Sequence, residues 1–432
     1  MVNGPANDAA APGDRDATLR LIKWFSIERV RRAKVLVVGA GAIGNEVLKN
    51  LALLGVGNIY ILDKDTIELS NLTRSILYRE SDCGLPKAQV AARSLKQINP
   101  VVTARWKQGD LRCDLGRGVL RHVDAVIAGL DNVPARHKLN ELCFSAGRPW
   151  IDAGIDVLDG HVSVYSPSEG ACYECYFTEA QHRHIQRSCA VIAKRDEEEG
   201  KLATTPTIAS VVGGVQVQEA LKMLDPETWR GQTLVSRKFM FNGTVGESMT
   251  VNLVRRPDCA DPHASVIDPG AVVELPGASA RTTTARELLE MTEELCKAPV
   301  SIALTFELAV ALKPHGCARS SLILQPVEKL YREDLRCGTC GWSPQHESRT
   351  ALVQTHVLSR ALIDQYPQEV GTAKLADLNI PPLEVMRVYV GDPQSAKPKR
   401  ALKGRAPETD APRPFFIELT GDVGPDLGFN EL

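Results

Sequence analysis

A chain of 432 residues, 44% hydrophobic and 24% charged, is long enough for two or three domains, each burying its own core. Its net charge of −2 argues against nonspecific nucleic-acid binding, which needs a basic face, and no apolar run approaches the ~18 residues of a membrane span. Eleven cysteines, an odd number behind a polar start with no hydrophobic signal region, suit reduced thiols, metal ligands or catalysis in a cytoplasmic protein.

Residues 1–18 are polar and are expected to be a disordered N-terminus. From 19 to 260 buried strands and helical patterns alternate, which predicts one α/β unit. "VLVVGAGAIG" opens it: Val35 to Val38 read as a buried strand, and Gly39, Gly41 and Gly44 follow before an amphipathic helix. Further strands are expected at 58–63, 124–131, 149–154 and 161–166. Helices are expected at 87–99 and from Pro206, and "MTVNLVRRPDC" (249–259) returns as a strand. Residues 264–390 form a smaller mixed C-terminal domain with a CxxC pair. The Pro-, Lys- and Ala-rich stretch 392–414 reads as a flexible linker or loop, and 415–422 as a terminal strand before the tail to 432. The fold class is therefore α/β, Rossmann-like with a mostly parallel sheet, plus the mixed C-terminal domain.

Three glycines at this spacing mark a phosphate site without naming its owner. Nineteen residues after Gly44, the second strand ends at Asp63, placed to accept from ribose hydroxyls. "DKDTIELSNLTRSILYRESDCGLPKAQVAA" then supplies Asn71, Arg74 and, opening a helix, Lys87. Cations beside a glycine loop suit a triphosphate, whose charge is larger and more concentrated than a dinucleotide's. "AGLDN" puts Asp131 at the carboxyl end of the next strand, a reasonable Mg²⁺ partner near phosphates. The bland alternatives are solvated charges for Arg74 and Lys87 and a turn cap for Asp131.

Taken in order, "GAGAIG", "DKDTIELSNLTRS", "GLPKAQVAA", "GLDN", "CYEC" and "VQVQEALK" resemble the ThiF/MoeB/HesA superfamily of ubiquitin-activating-type adenylyltransferases, over roughly residues 30–260. The resemblance implies adenylation of the C-terminal glycine of a ubiquitin-like protein, with release of pyrophosphate. It implies ATP, Mg²⁺ and Zn²⁺ as cofactors and a homodimer packed through this unit. By the same resemblance Gly39, Gly41 and Gly44 cradle phosphate, Asp63 holds ribose, and Asp65 belongs to the nucleotide site. Asn71, Arg74 and Lys87 contact phosphates and Asp131 binds Mg²⁺. Two departures stand out: the usual last arginine before the first strand falls at Thr18, with Arg15 and Arg20 nearby, and Ser75 replaces a glutamine.

Cys172 and Cys175 in "CYEC" have the spacing of half a structural zinc site. The resemblance makes Cys259 the third ligand and leaves His263 as the nearest fourth. Cys337 and Cys340, in "RCGTCGW", are the rival pair. They are either the remnant of a zinc ribbon or an additional site completed by His315 and Cys317. Cys83, Cys113, Cys143 and Cys296 read as packing or surface residues.

Cys189 lies in a polar loop with His182, Arg183, His184 and Arg187, an electropositive setting that favours thiolate. In the ubiquitin-activating branch a loop at this place carries the thioester-forming cysteine. The resulting expectation is adenylation, then a thioester on Cys189, then transfer to a conjugating-enzyme-like acceptor. The alternatives are a sulfur-carrier adenylyltransferase without the thioester step, a non-catalytic activating subunit, and a nicotinamide-dependent oxidoreductase.

Overall fold

The computed structural model describes residues 14–177, 181, 204–259, 267–314, 316–331, 334–343, 352–391, 415–424 and 426–432. Among them two sheets form. The first runs in the order β3-β2-β1-β4-β5-β6-β7-β8. Its strands are β1 (Lys34–Val38), β2 (Asn58–Asp63), β3 (Thr103–Gln108), β4 (Ala125–Ala128), β5 (Trp150–Asp156), β6 (Asp159–Tyr165), β7 (Arg237–Asn242) and β8 (Glu247–Asn252). The pairs from β3 to β5 are parallel, and those from β5 to β8 are antiparallel.

Period-two side chains explain how β1 is covered on both faces. Val35 and Val37 join one core with the helices Ala42–Leu53, Lys87–Ile98 and Pro206–Leu224, while Leu36 and Val38 join the opposite core. That opposite core holds Leu139 and Leu142 from the helix Val133–Ser145, and also Leu383, Leu427 and Phe429 from far down the chain. In the helix Pro206–Leu224, Ile208 and Val212 lie in the first core, as their spacing predicts.

The second, six-stranded sheet is built on the long β10 (Val300–Leu312), with β9 (Val272–Glu274), β11 (Ser321–Pro326), β12 (Leu352–Ser359), β13 (Val385–Val390) and β14 (Phe415–Glu418). Its core includes the helix Ala285–Cys296, whose N-terminus is fixed by a reciprocal Thr284–Glu287 capping box. β14 is an inner strand, between β13 and β9. The expected strand 415–422 stops at Glu418, because the next residues turn so that the Asp422 carboxylate accepts from Ser279 Oγ and the Ala280 amide. The expected strand 249–259 likewise ends at Asn252, after which the chain bends to bring Cys259 beside Cys172.

The two sheets are joined by buried polar contacts. The Gly118 amide donates to Leu383 O at 2.8 Å, Arg117 Nε pairs with Glu384 Oε1 at 3.1 Å, and Arg121 pairs with Glu418. The tail then returns to the first sheet: Trp106 and Asn430 exchange backbone hydrogen bonds at 3.0 and 2.8 Å. Among the described residues no helix is long and apolar enough to cross a membrane.

Candidate active site

A cavity of about 1270 Å³ opens at the carboxyl ends of β1, β2 and β4, where an open α/β sheet binds its ligands. Gly39, Gly41, Asp63, Asp65, Asn71, Arg74, Lys87 and Asp131 all line it. The cavity continues past Asp152 and His161 over β6–β8, to Lys238, Met240 and Met249. The fold thus brings these anticipated nucleotide-site residues, Gly44 excepted, to one cavity.

The glycines divide the work. Gly39 has φ +95°, and a Cβ there would lie 2.5 Å from Gly129 O. A Cβ on Gly44 would lie 2.0 Å from Gly39 O, so Gly44 permits helix and strand to touch and does not line the cavity. Gly41 faces open space at the N-terminus of the helix Ala42–Leu53, where free amides and the helix dipole favour an anion. Asn45, which the sequence did not flag, holds this loop in place. Its Nδ2 donates to Ala40 O at 2.7 Å and its Oδ1 accepts from the Leu77 amide at 2.9 Å. Tyr78 Oη donates to the same Ala40 carbonyl at 2.6 Å.

Asp63 closes the loop from the other side, its carboxylate accepting from the amides of Ala40 at 2.6 Å and Asp65 at 2.8 Å. Burial pushes its carboxyl up to about 6, against the opposing pull of the Lys87 charge. Lys87 is itself pulled in two directions: burial disfavours its ammonium, but Asp63, Asp65 and Asp131 outweigh that and hold it above the ordinary lysine range. Its Nζ sits 2.8 Å from Asp65 Oδ2. Arg74 Nη1 donates to Ser70 O at 2.7 Å, within its own loop. Asn71 is buried, and its Oδ1 accepts from the Glu68 amide at 3.0 Å, shaping that loop.

Asp131 does not cap the next helix. Asn132 does, its Oδ1 accepting from the Ala135 amide at 2.8 Å, and exposed Asp131 is left facing the cavity. A second unflagged pair fixes the Asp131 loop. Arg136 donates to Asp152 Oδ1 at 2.9 Å, to Leu130 O at 2.6 Å and to Ala153 O at 2.9 Å. Burial raises the Asp152 carboxyl although Arg136 lowers it. The legible signal was an arginine just inside a helix, opposite an aspartate in the otherwise apolar "WIDAG". The second sheet's side also reaches the site: Tyr331 lines the cavity, and Arg112 donates to Glu328 O at 3.2 Å.

Cys172, Cys175 and Cys259 converge behind the cavity wall, with sulfurs 3.8 and 3.7 Å apart. Zinc–sulfur bonds of about 2.3 Å at a tetrahedral centre place sulfurs about 3.8 Å apart, so this donor set fits zinc. Cys317, Cys337 and Cys340 form a separate cluster, so the two CxxC pairs are not rivals for one place. Cys189 with its neighbours 182–187, His263, His315 and the stretch 392–414 lie outside the described residues. Arg20 pairs with Asp14 at 2.9 Å and Arg15 donates to Ile98 O at 2.7 Å; neither lines the cavity.

Known proteins resemble the part of the chain that holds this cavity. The sulfur carrier protein adenylyltransferase of Thermus thermophilus is 32% identical over 237 residues, 54% of this chain and 83% of its own. The SAMP-activating enzyme E1 of Haloferax volcanii is 32% identical over 231 residues, 54% of this chain and 80% of its own. Among solved structures, E. coli MccB aligns over 60% of this chain and 75% of its own, with 22% identity and a TM-score of 0.48. The ThiF family profile matches residues 14–261, which hold the whole first sheet and the cavity's lining apart from Tyr331, and the chain belongs to the ThiF family of adenylyltransferases and activating enzymes.

Proposed function

We propose that this chain uses ATP to adenylate the C-terminal glycine carboxylate of a ubiquitin-like or sulfur-carrier protein. The observation that carries the reading is the convergence of the glycine loop, Asp63, Arg74, Lys87 and Asp131 on one cavity. The names of the relatives support it, since those proteins are adenylyltransferases or activating enzymes for such carriers. In the step proposed, a carboxylate oxygen attacks the α-phosphorus, and the bond to the β-phosphate's bridging oxygen breaks, so pyrophosphate leaves with the electron pair. The attacking group is already ionised and needs no general base. The enzyme's work is positioning and cancelling the repulsion between two anions.

The Gly41 amide region would receive phosphate, and Asp63 the ribose hydroxyls. Lys87 and Arg74 would neutralise the charge that passes to pyrophosphate. Asp131 would hold Mg²⁺, which adds positive charge at the phosphates. Cys172, Cys175 and Cys259 would hold a structural zinc that fixes the Tyr173–Tyr176 turn against the cavity. His263, the nearest replacement for the family's missing fourth ligand, lies outside the described residues.

Beyond adenylation, the reading extends to a thioester on Cys189, passage to a conjugating-enzyme-like acceptor, and a homodimer. The thioester would appear as a thiol-sensitive adduct with the carrier, absent in Cys189→Ala. The test of the core reading is ATP–pyrophosphate exchange that depends on a carrier ending in glycine.

A further inference from the structure

We infer that Cys317, Cys337 and Cys340 form a second zinc site, built into the C-terminal part of the chain and independent of the one beside the nucleotide cavity. Their sulfurs all lie within 4.8 Å of one another, and those of Cys317 and Cys337 are 3.8 Å apart. That is about the spacing of two thiolates on one tetrahedral zinc, and far beyond a disulfide bond of about 2.05 Å. The residues lie outside the segment 14–261 matched by the family, so the family's own metal site does not account for them.

The local backbone is shaped for a metal. Cys337 and Cys340 stand on a tight turn, with the Cys337 amide donating to Trp342 O and the Gly341 amide to Cys337 O, both at 2.9 Å. Gly341 follows the second cysteine at φ +70°, a conformation that a residue with a Cβ rarely adopts. Ser321 Oγ lies 3.5 Å from the Cys337 sulfur. Cys317 arrives from the loop between β10 and β11, where its amide donates to Pro314 O at 3.1 Å.

The surroundings supply a reason for the site. Among the described residues, the small core beside it has four buried apolar residues, Ala309, Val327, Leu330 and Leu335, with Ile323 and Leu352 packed against them. So few cannot hold a loop-rich segment by hydrophobic burial alone, and a metal cross-link between the β10–β11 loop and the 337–340 turn supplies the missing constraint. The soft three-sulfur donor set selects zinc over magnesium or calcium. This segment also carries Tyr331, which lines the nucleotide cavity, so the metal steadies part of that wall.

The test is metal content of the full-length protein after equilibration with zinc under reducing conditions and desalting. Two sites predict about two zinc ions per chain in the wild type, and about one in either Cys337→Ser or Cys172→Ser. Cys340→Ser, at an exposed position, gives a second reading that does not open a core. In cobalt-substituted protein it should weaken the thiolate-to-cobalt absorption that Cys172→Ser leaves in place. Zinc content unchanged by both Cys337→Ser and Cys340→Ser, with the metal lost only in Cys172→Ser, overturns the proposal. So does a reduced wild-type protein that takes up no zinc.

Discussion

Lys87 Nζ lies 2.8 Å from Asp65 Oδ2, and the Lys87 amide donates to Asp65 O at 3.0 Å, so the cation is tied to the turn after β2 at both ends. The arrangement presents an ammonium to the cavity without an incoming phosphate having to order it. Asp65 is half exposed, so the ion pair itself adds little to folding. Lys87→Ala should therefore lower the exchange rate at least ten-fold, about 1.4 kcal/mol of transition-state stabilisation, while the thermal midpoint moves little. Exchange kinetics and a thermal melt on the same preparation check both halves.

Adjacent residues should behave oppositely at the next loop. Asp131→Ala removes the carboxylate facing the cavity and should abolish exchange with stability unchanged. Asn132→Ala removes the helix cap and should cost about 1 kcal/mol of stability. Denaturant unfolding and pyrophosphate exchange, run on both variants, separate the roles. Equal stability losses in the two would contradict the division.

The buried Asp63 carboxyl gives a pH dependence whose sign follows from its surroundings. Burial raises it from an ordinary 3.8 to about 6 in the folded chain. Its contribution to stability is thus complete below 3.8 and is lost as pH rises through about 6. A ribose diol donates more strongly to the ionised carboxylate than to the neutral acid, so adenosine, which has no titrating phosphate, should bind up to about ten-fold tighter at about pH 7 than at about pH 5. Calorimetric titration across that range measures this. A flat profile would remove Asp63 from the ribose site.

The parts of this fold legible in the sequence are those where one element carries its own signal. Val35–Val38 are apolar because β1 is covered on both faces, and Asp63 is an aspartate at a strand end. β3, "TARWKQ", escaped because it lies at the sheet edge and mixes buried Arg105 with half-buried Trp106 and Lys107 and an exposed Gln108. β7 has the same mixed character for a similar reason: much of its surface is left uncovered. In the site, Asn45 and Arg136 were illegible singly. An asparagine in a helix means nothing until Leu77 arrives from elsewhere in the chain, and an arginine near a cap gains its meaning only beside Asp152 of an apolar strand. The docking of the tail is of the same kind, a contact between segments with no shared pattern.

That docking has its own consequence. Phe429 is buried in the first sheet's core, its ring 5.5 Å from that of Tyr60 and edge-on to it. Phe429→Ala should cost about 3 kcal/mol or more of stability, although it lies far outside the segment matched by the family. Urea unfolding of the full chain checks it. A loss under about 1 kcal/mol would mean that the tail does not hold this position in solution.

The most direct measurement is ATP–pyrophosphate exchange by the purified full-length chain, with and without a ubiquitin-like or sulfur-carrier protein ending in glycine. Exchange should require the carrier, disappear when its terminal glycine is removed, and be lost in Asp131→Ala. Exchange indifferent to every such carrier, or full exchange in Asp131→Ala, would contradict the proposed adenylation.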